Sequence, residues 1–380
     1  MTQDSPEFIA LRNRLNDSLF PFWFSAGVDR VNGGFLERMS VDGSMLDDPR
    51  RARLVGRQIY SAVAAARLGW DGPAREIVEH GLDFLTTHSL RGDVIRPVVT
   101  AQGEPVVEGF DLYDHAFVLF GLAAAAGFGV RKPELTTLAR SIRDRMCAGW
   151  KHPLGGFEES DPPSLPLKAN PHMHILEASL AWAVVDDDPA WGLLADEIVE
   201  LCLKHFLHPE TGALQEYFDA DWRPLTEAGL DVVEPGHQFE WAWLLIRWGR
   251  SRGRPDALEA ARTLIRIAEE RGVSPMRMAV NELNQDLSVR DDRHRLWPQT
   301  ERIKAFVALG ALARTEAEAT AAREKTAEAA TGLLRFFDHP VQGAWWEHIN
   351  ADGAPSQEPS RASSLYHITC AVGEMASLSA

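Results

Sequence analysis

The chain has 380 residues, 39 Lys and Arg against 55 Asp and Glu, and a net charge of −16. That balance, with no cluster of basic residues, excludes a nucleic-acid duplex and an anionic membrane surface as partners. A hydrophobic fraction of 45% allows a large core, and no run of about 18 apolar residues is present to span a membrane.

The N-terminal stretch "MTQDSPEFIALRNRLND" is charged early and has no apolar segment of the signal-peptide kind. The three cysteines, Cys147, Cys202 and Cys370, form no CxxC pair. Both features lead us to expect a reducing, cytoplasmic setting without disulfides.

Along the chain, two kinds of helix alternate. The first repeat opens with a Gly-led, strand-like element, "NGGFLERMSVDGSML" from Asn32. An Ala-rich helix, "RARLVGRQIYSAVAAA", follows with Arg57 near its start, and then an amphipathic one, "GPAREIVEHGLDFLTTHS". The next unit runs from "RGDVIRPVVTAQGEPV" through "GFDLYDHAFVLFGLA" to "KPELTTLARSIRDRMCAGW". The third runs from "LGGFEESDPPS" through "KANPHMHILEASLAW" to "WGLLADEIVELCLKHFLH". The fourth holds "TGALQEYFDADWRPL", "VEPGHQFEWAWLLIRW" and "PDALEAARTLIRIAEERG". A degenerate hairpin, "VNELNQDLSVRDDRHRLW", opens the fifth, and "QGAWWEHINADGAPS" precedes the last apolar helix, "LYHITCAVGEMASL".

Six units of roughly 60 residues, each two helices plus a hairpin, fill the chain. Helices apolar on all sides belong inside and one-sided helices outside. The simplest closed arrangement is an all-α, (α/α)6 barrel with short β-hairpins at one end, built as one catalytic domain over residues 1–380. A solenoid of helix pairs is the open alternative.

In successive units, polar residues stand at the start of the apolar helix. They are Arg57, Tyr113, Asn170 with His174, His237 with Glu240, Trp297 with Glu301, and His367. In a closed barrel these ends converge on one mouth, where convergent polar groups make a binding or catalytic site. Taken singly, each has a plain structural reading. Arg57 suits an interhelix ion pair, and Asp111 or Asp114 a helix cap. His172, two residues from His174, points elsewhere. Glu177 shares the face of His174. Glu240, three residues after His237, is placed to orient its imidazole. The HxxE spacing also serves metals, but the second motif and the extra carboxylates of such sites are lacking, so no metal is expected. Twelve tryptophans fit either a helical core or a sugar-stacking pocket. Arg53, Arg57 and Arg361 form no evident anion nest.

The segments "VGRQIYS", "NPHMHILEA", "EPGHQFEWAWLL", "LWPQTERIKA" and "LYHI" resemble, in order, the motifs of the N-acylglucosamine 2-epimerase superfamily, over about residues 51–373. The mannose isomerase and sulfoquinovose isomerase branch is the nearest. The resemblance implies an (α/α)6 barrel acting on free sugars with no metal or other cofactor, as a monomer or homodimer. It implies His237 and His367 as the acid/base pair. Arg57, Tyr113, Asn170, His174, Glu240, Trp297 and Glu301 would contact the sugar or orient that pair. In the epimerases the terminal motif continues with Asn and Arg, whereas "YHITCA" puts Cys370 near that Arg. This favours an aldose–ketose isomerase, D-mannose to D-fructose or D-lyxose to D-xylulose, through a cis-enediol. The alternatives are a 2-epimerase of the acylglucosamine or cellobiose type, and a glycoside hydrolase using Glu240 and Glu301. No Gly-rich phosphate loop is present, so no nucleotide activator is expected.

Overall fold

The computed structural model describes residues 5–377. Six apolar helices stand inside: α3 (Ala52–Arg67), α5 (Leu112–Gly127), α7 (Ala169–Val185), α9 (Pro235–Arg252), α11 (Leu296–Gly310) and α13 (Ser364–Ser377). Each packs on the next, and α13 packs back on α3, so the ring is closed. The barrel, not the solenoid, is the fold. Outside stand α4 (Ala74–Phe84), α6 (Lys132–Gly149), α8 (Ala190–Leu201), α10 (Pro255–Arg271) and α12 (Glu316–Leu334). The sixth outer position is taken by α1 (Pro6–Arg14), which contacts α12 and α13; the short α2 (Phe20–Trp23) follows it. Among the described residues no helix is long and apolar enough to cross a membrane.

The hairpins are joined in a cycle. The residues just before each inner helix pair with the hairpin of the following unit. Arg50–Arg51 pairs with Val98–Val99, Leu167–Lys168 with Tyr217–Phe218, and Val232–Val233 with Glu282–Asn284. His294–Arg295 pairs with His348–Ile349, and a single bridge joins Asp111 to Ser160. The last joint, Ser360–Arg361 with Arg38–Met39, returns to the first unit. Each joint fixes a helix start at the same end of the barrel.

A polar side chain at the fourth residue of four inner helices locks the joint. His115 Nε2 accepts from Ile95 N at 3.1 Å and His172 Nε2 from Phe157 N at 3.0 Å. Gln238 and Gln299 accept from Leu214 N at 2.9 Å and Ala279 N at 2.8 Å. Burial holds both of these histidines neutral, with pKa lowered to about 4. They are structural pins, and His172 points away from the side of His174, as its spacing predicts. Asp111 is the cap of α5, accepting from Asp114 N at 2.9 Å, while Asp114 pairs with Arg53 at 2.8 Å.

Eight of the twelve tryptophans are core residues with almost no exposed surface. Trp23, Trp182, Trp191, Trp222, Trp241, Trp243, Trp248 and Trp345 are all buried to 2% exposure or less. Most of their indole N–H groups reach a partner, as in Trp23 to the Gly343 carbonyl at 2.9 Å and Trp182 to that of Leu119 at 2.8 Å. Twelve large helices need voluminous filler at their crossings, and indole supplies it where a carbonyl lies near.

Where α3 meets α5 the opposite is needed. A Cβ on Gly56 would lie 2.1 Å from the Phe117 carbonyl oxygen, and one on Gly121 would lie 2.6 Å from Gly56 Cα. The two backbones touch at these glycines, and that crossing carries Arg57 and Tyr113 to the mouth. Gly56→Ala is therefore expected to lower stability by about 1–3 kcal/mol in urea melts, since neither backbone can yield without moving its helix. A loss under about 0.5 kcal/mol would show that the crossing is loose.

Candidate active site

The helix starts converge on a cavity of about 170 Å³ that opens into a wider basin of about 440 Å³. Arg57, Tyr113, Asn170, His174, His237, Glu240, Trp297 and His367 all line the inner cavity, one or two from each inner helix. Of the nine polar residues expected at the starts of the apolar helices, Glu301 alone does not line it; it is fully buried behind His367. Polar atoms of the lining that include Arg57 Nε, Asn170 Oδ1, Glu240 Oε2 and Arg295 Nε are buried with no hydrogen-bond partner among the described residues. Buried polar groups ordinarily have partners, so these atoms are set to meet a polar ligand.

Two histidines flank the Trp297 ring. The His237 ring centre lies 4.9 Å from it and that of His367 5.7 Å. Their surroundings push them in opposite directions. Burial alone would depress His237, but Glu216 at 2.9 Å and Glu234 at 3.7 Å from Nδ1 outweigh it, and its pKa rises to about 10. His367 is held well below the ordinary imidazole value by burial and by the charges of Arg57 and Lys304. Its Nδ1 faces Glu301 Oε1 at 2.8 Å. An ionised Glu301 accepts the Nδ1 hydrogen, which leaves Nε2 as a lone-pair base. One cavity thus holds a protonated imidazole and a neutral one, the arrangement that separates acid from base at neutral pH.

Glu240 does not steer His237, contrary to the reading from their spacing. The partner of His237 is Glu216, from the hairpin that precedes α9. The i, i+3 spacing puts two side chains on one face of a helix, yet an acid from another element reaches the ring first. Glu240 instead faces Lys304, whose Nζ lies 3.4 Å from Oε1, and burial with the nearby Glu301 raises its pKa to about 7. Nor do Glu240 and Glu301 face the cavity together, as the hydrolase reading needs; Lys304 sits between them, 2.5 Å from Glu301.

The third histidine, His174, shares a helix face with Glu177 as their spacing predicts. His174 Nδ1 meets Glu177 Oε2 at 3.1 Å, and Tyr366 Oη donates to the same carboxylate at 2.6 Å. Burial would raise Glu177, but these bonds and the charge of Lys304 hold its pKa at about 2. Arg57 stacks 3.9 Å above the Phe117 ring and donates to Tyr113 Oη at 2.7 Å.

The sequence reading missed Glu216, Glu234, Lys304 and Arg295. A signal for Glu216 existed. Glutamate recurs in the hairpin segments "GGFLE", "GGFEE", "GALQE" and "GAWWE", at Glu37, Glu159, Glu216 and Glu347. Glu37, Glu159 and Glu347 accept the backbone N–H of Arg51, Lys168 and Arg361, at 2.8, 2.7 and 2.7 Å. In the fourth unit the same position turns to His237. Three sets of side chains could gather ligand atoms for a metal: His174, Glu177 and Glu240; Glu216, Glu234 and His237; and Glu240, Glu301 and His367. In each, an imidazole N–H or the Lys304 ammonium already engages a carboxylate.

The mouth corrects a further expectation. Arg53, Arg57 and Arg361 do converge there, joined by Arg51, Lys168 and Arg295. Arg51 and Arg53 are matched by Glu37 and Asp114. Arg57 and Arg295 have no carboxylate at ion-pair distance among the described residues, and the Nε of each is buried without a partner. Glu159, beside Lys168, has its pKa raised to about 8 by burial, so it leaves that ammonium uncompensated at neutral pH. A chain of net charge −16 carries a cationic rim around its cavity.

His237 titrates above its unfolded value of 6.5, so its pairing with Glu216 stabilises the fold fully below that pH and is lost as pH rises through about 10. In Glu216→Gln the ring is expected to titrate at least about one pH unit lower, read from its NMR signals. The alkaline loss of stability should shrink in the same variant. An unchanged titration would remove Glu216 from the site.

Residues 33–371 match the family model described as N-acylglucosamine 2-epimerase (GlcNAc 2-epimerase). The chain is 43% identical over 366 residues to a mannose-6-phosphate isomerase of Rhizobium meliloti (strain 1021), covering 95% of this chain and 94% of that one. It is 27% identical over 365 residues to a D-mannose isomerase of Thermobifida fusca, covering 87% and 85%. A crystal structure of a D-mannose isomerase superposes with a TM-score of 0.86 at 20% identity, covering 99% and 98%. The chain belongs to the N-acylglucosamine 2-epimerase family and is a sugar isomerase.

Proposed function

We propose that the enzyme interconverts an aldose and its 2-ketose at the mannose configuration, D-mannose with D-fructose, and D-lyxose with D-xylulose as the shorter analogue. The observation that carries this reading is the pair of histidines held in opposite protonation states across one cavity. Protonated His237 gives its proton to the ring oxygen of the sugar and, now neutral, takes the proton of O1, which opens the ring. His367 Nε2 then removes the proton from C2. The C2–H electron pair becomes the C1–C2 double bond, and charge develops on O1. Arg57, with Tyr113 and His174 beside it, stabilises that oxyanion. The O2 proton passes to O1 as His367 returns its proton to C1, which leaves a carbonyl at C2. Delivery to the opposite face of C2 instead would give the epimer.

Phosphorylated mannose is the second reading, favoured by the cationic rim and by the name of the relative at 43% identity. Arg295 and Arg361 line both the inner cavity and the basin, so they stand where a group on C6 would emerge. Arg295 has no ion-pair partner among the described residues to give up when an anion arrives.

A panel of D-mannose, D-mannose 6-phosphate, D-lyxose, N-acetylglucosamine and cellobiose in deuterated water separates these readings by NMR of the products. Ketose with deuterium at C1, and recovered aldose with deuterium at C2, are expected from the mannose-type sugars. C2 epimers without ketose would sink the isomerase assignment. Arg295→Met should lower kcat/KM for the phosphate ester more than for mannose, by roughly tenfold, if the rim reads phosphate. His367→Gln should lose about 10²–10⁴ in kcat, as for a missing acid/base group. A variant that still exchanges C2 hydrogen at the parent rate would exclude His367 as the base.

A further inference from the structure

Lys304 is an anomaly that the proton-transfer scheme does not use. It is fully buried on α11, one helical turn below Glu301, with none of the solvent an ammonium ordinarily keeps. Its Nζ lies 2.5 Å from Glu301, 3.4 Å from Glu240 and 3.8 Å from the centre of the Trp243 ring. Other titratable groups also face this space: Glu177 and His174 of α7, Tyr366, His367 and Cys370 of α13, and Arg57 of α3. Three carboxylates, Glu177, Glu240 and Glu301, therefore crowd the barrel axis around one lysine.

A buried cation there has a specific consequence. A carboxylate stripped of water tends to take up a proton, and a neutral Glu301 could offer its own hydrogen to His367 Nδ1. The imidazole would then carry its remaining hydrogen on Nε2, the nitrogen that has to act as base. The ammonium at 2.5 Å favours the ionised Glu301 and so the Nδ1–H tautomer. Because Glu240 is held by the same ammonium, a carboxylate of α9 is tied to the acid that orients the imidazole of α13.

We propose that Lys304 is a positioning residue for proton transfer, whose ammonium, clamped between Glu301 and Glu240, sets the tautomer and basicity of His367. The proposal rests on the isomerase reading for its kinetic consequences but not for its structural one. The lysine touches no substrate, since it does not line the cavity.

The test is Lys304→Met, of similar length and without charge, beside Lys304→Arg. Removing the cation frees His367 to hold a proton more tightly. The acid limb of kcat/KM against pH should therefore move up by about one pH unit or more in Lys304→Met. Its kcat should fall by roughly tenfold or more with little change in KM. Lys304→Arg should keep the limb near its original place. The ring 15N signals of His367, assigned by their loss in His367→Gln, should change from the Nδ1–H pattern in Lys304→Met. That readout needs no sugar, so it still decides the proposal if no aldose is turned over. A merely structural lysine would lower stability and leave limb and tautomer unmoved, and that result overturns the proposal. Should Lys304→Met fail to fold, Lys304→Met with Glu240→Gln removes one charge of each sign. The limb and the 15N pattern should still be displaced, and a parent-like result in the double variant overturns the proposal equally.

Discussion

The joint between each hairpin and the preceding inner helix is the constraint on which this structure rests. One or two backbone pairings at each joint, with a glutamine or histidine pin on four of the six inner helices, hold the helix starts at one level and one end of the barrel. Because the sixth joint returns to the first unit, the ring closes and the six starts face a common space. Those starts carry the positive ends of helix dipoles. The same end is thus suited to oxyanions before any side chain is considered. A one-residue slip in a joint would turn the pin away from the hairpin and the polar residues away from the cavity.

On that frame the chemistry is set by which element supplies the carboxylate. His237 receives Glu216 from a hairpin and Glu234 from its own helix cap, and becomes cationic. His367 receives one acid, Glu301, which is itself engaged by Lys304, and has Arg57 and Lys304 acting on it as like charges. The two rings touch the same tryptophan yet hold opposite charge states. The difference lies in the balance of charge behind each ring, not in exposure, since both are at least nine-tenths buried.

Much of the fold was legible because it repeats. Five Gly-led hairpins with a degenerate sixth, and six apolar helices, counted along the chain, already demand a closed or stacked array, and the polar residues at helix starts already point to one mouth. Spacing within one helix was also a sound guide for His174 with Glu177. It failed for His237 with Glu240, and the failure has a plain cause. Helical spacing states which side chains share a face, but it is silent on what another element brings to that face. Glu216 came from a hairpin 21 residues upstream, and Glu301 reaches His367 across 66. The tryptophans left two readings open, core filler or sugar pocket. Composition gives their number, while only packing shows that they fill helix crossings.

The sequence by itself determined a closed or stacked array of helix pairs, the level at which function sits, and eight of the cavity-lining side chains. These follow from periodicity and from the cost of placing polar groups on helices that are otherwise buried, both of which are local. Only the tertiary structure decided the charge of each group. A pKa inside a barrel depends on desolvation and on carboxylates and cations a few ångströms away, and those neighbours come from four or five separate elements. That is why the basic rim, the ammonium on the barrel axis and the opposed histidines emerged only once the ring was closed.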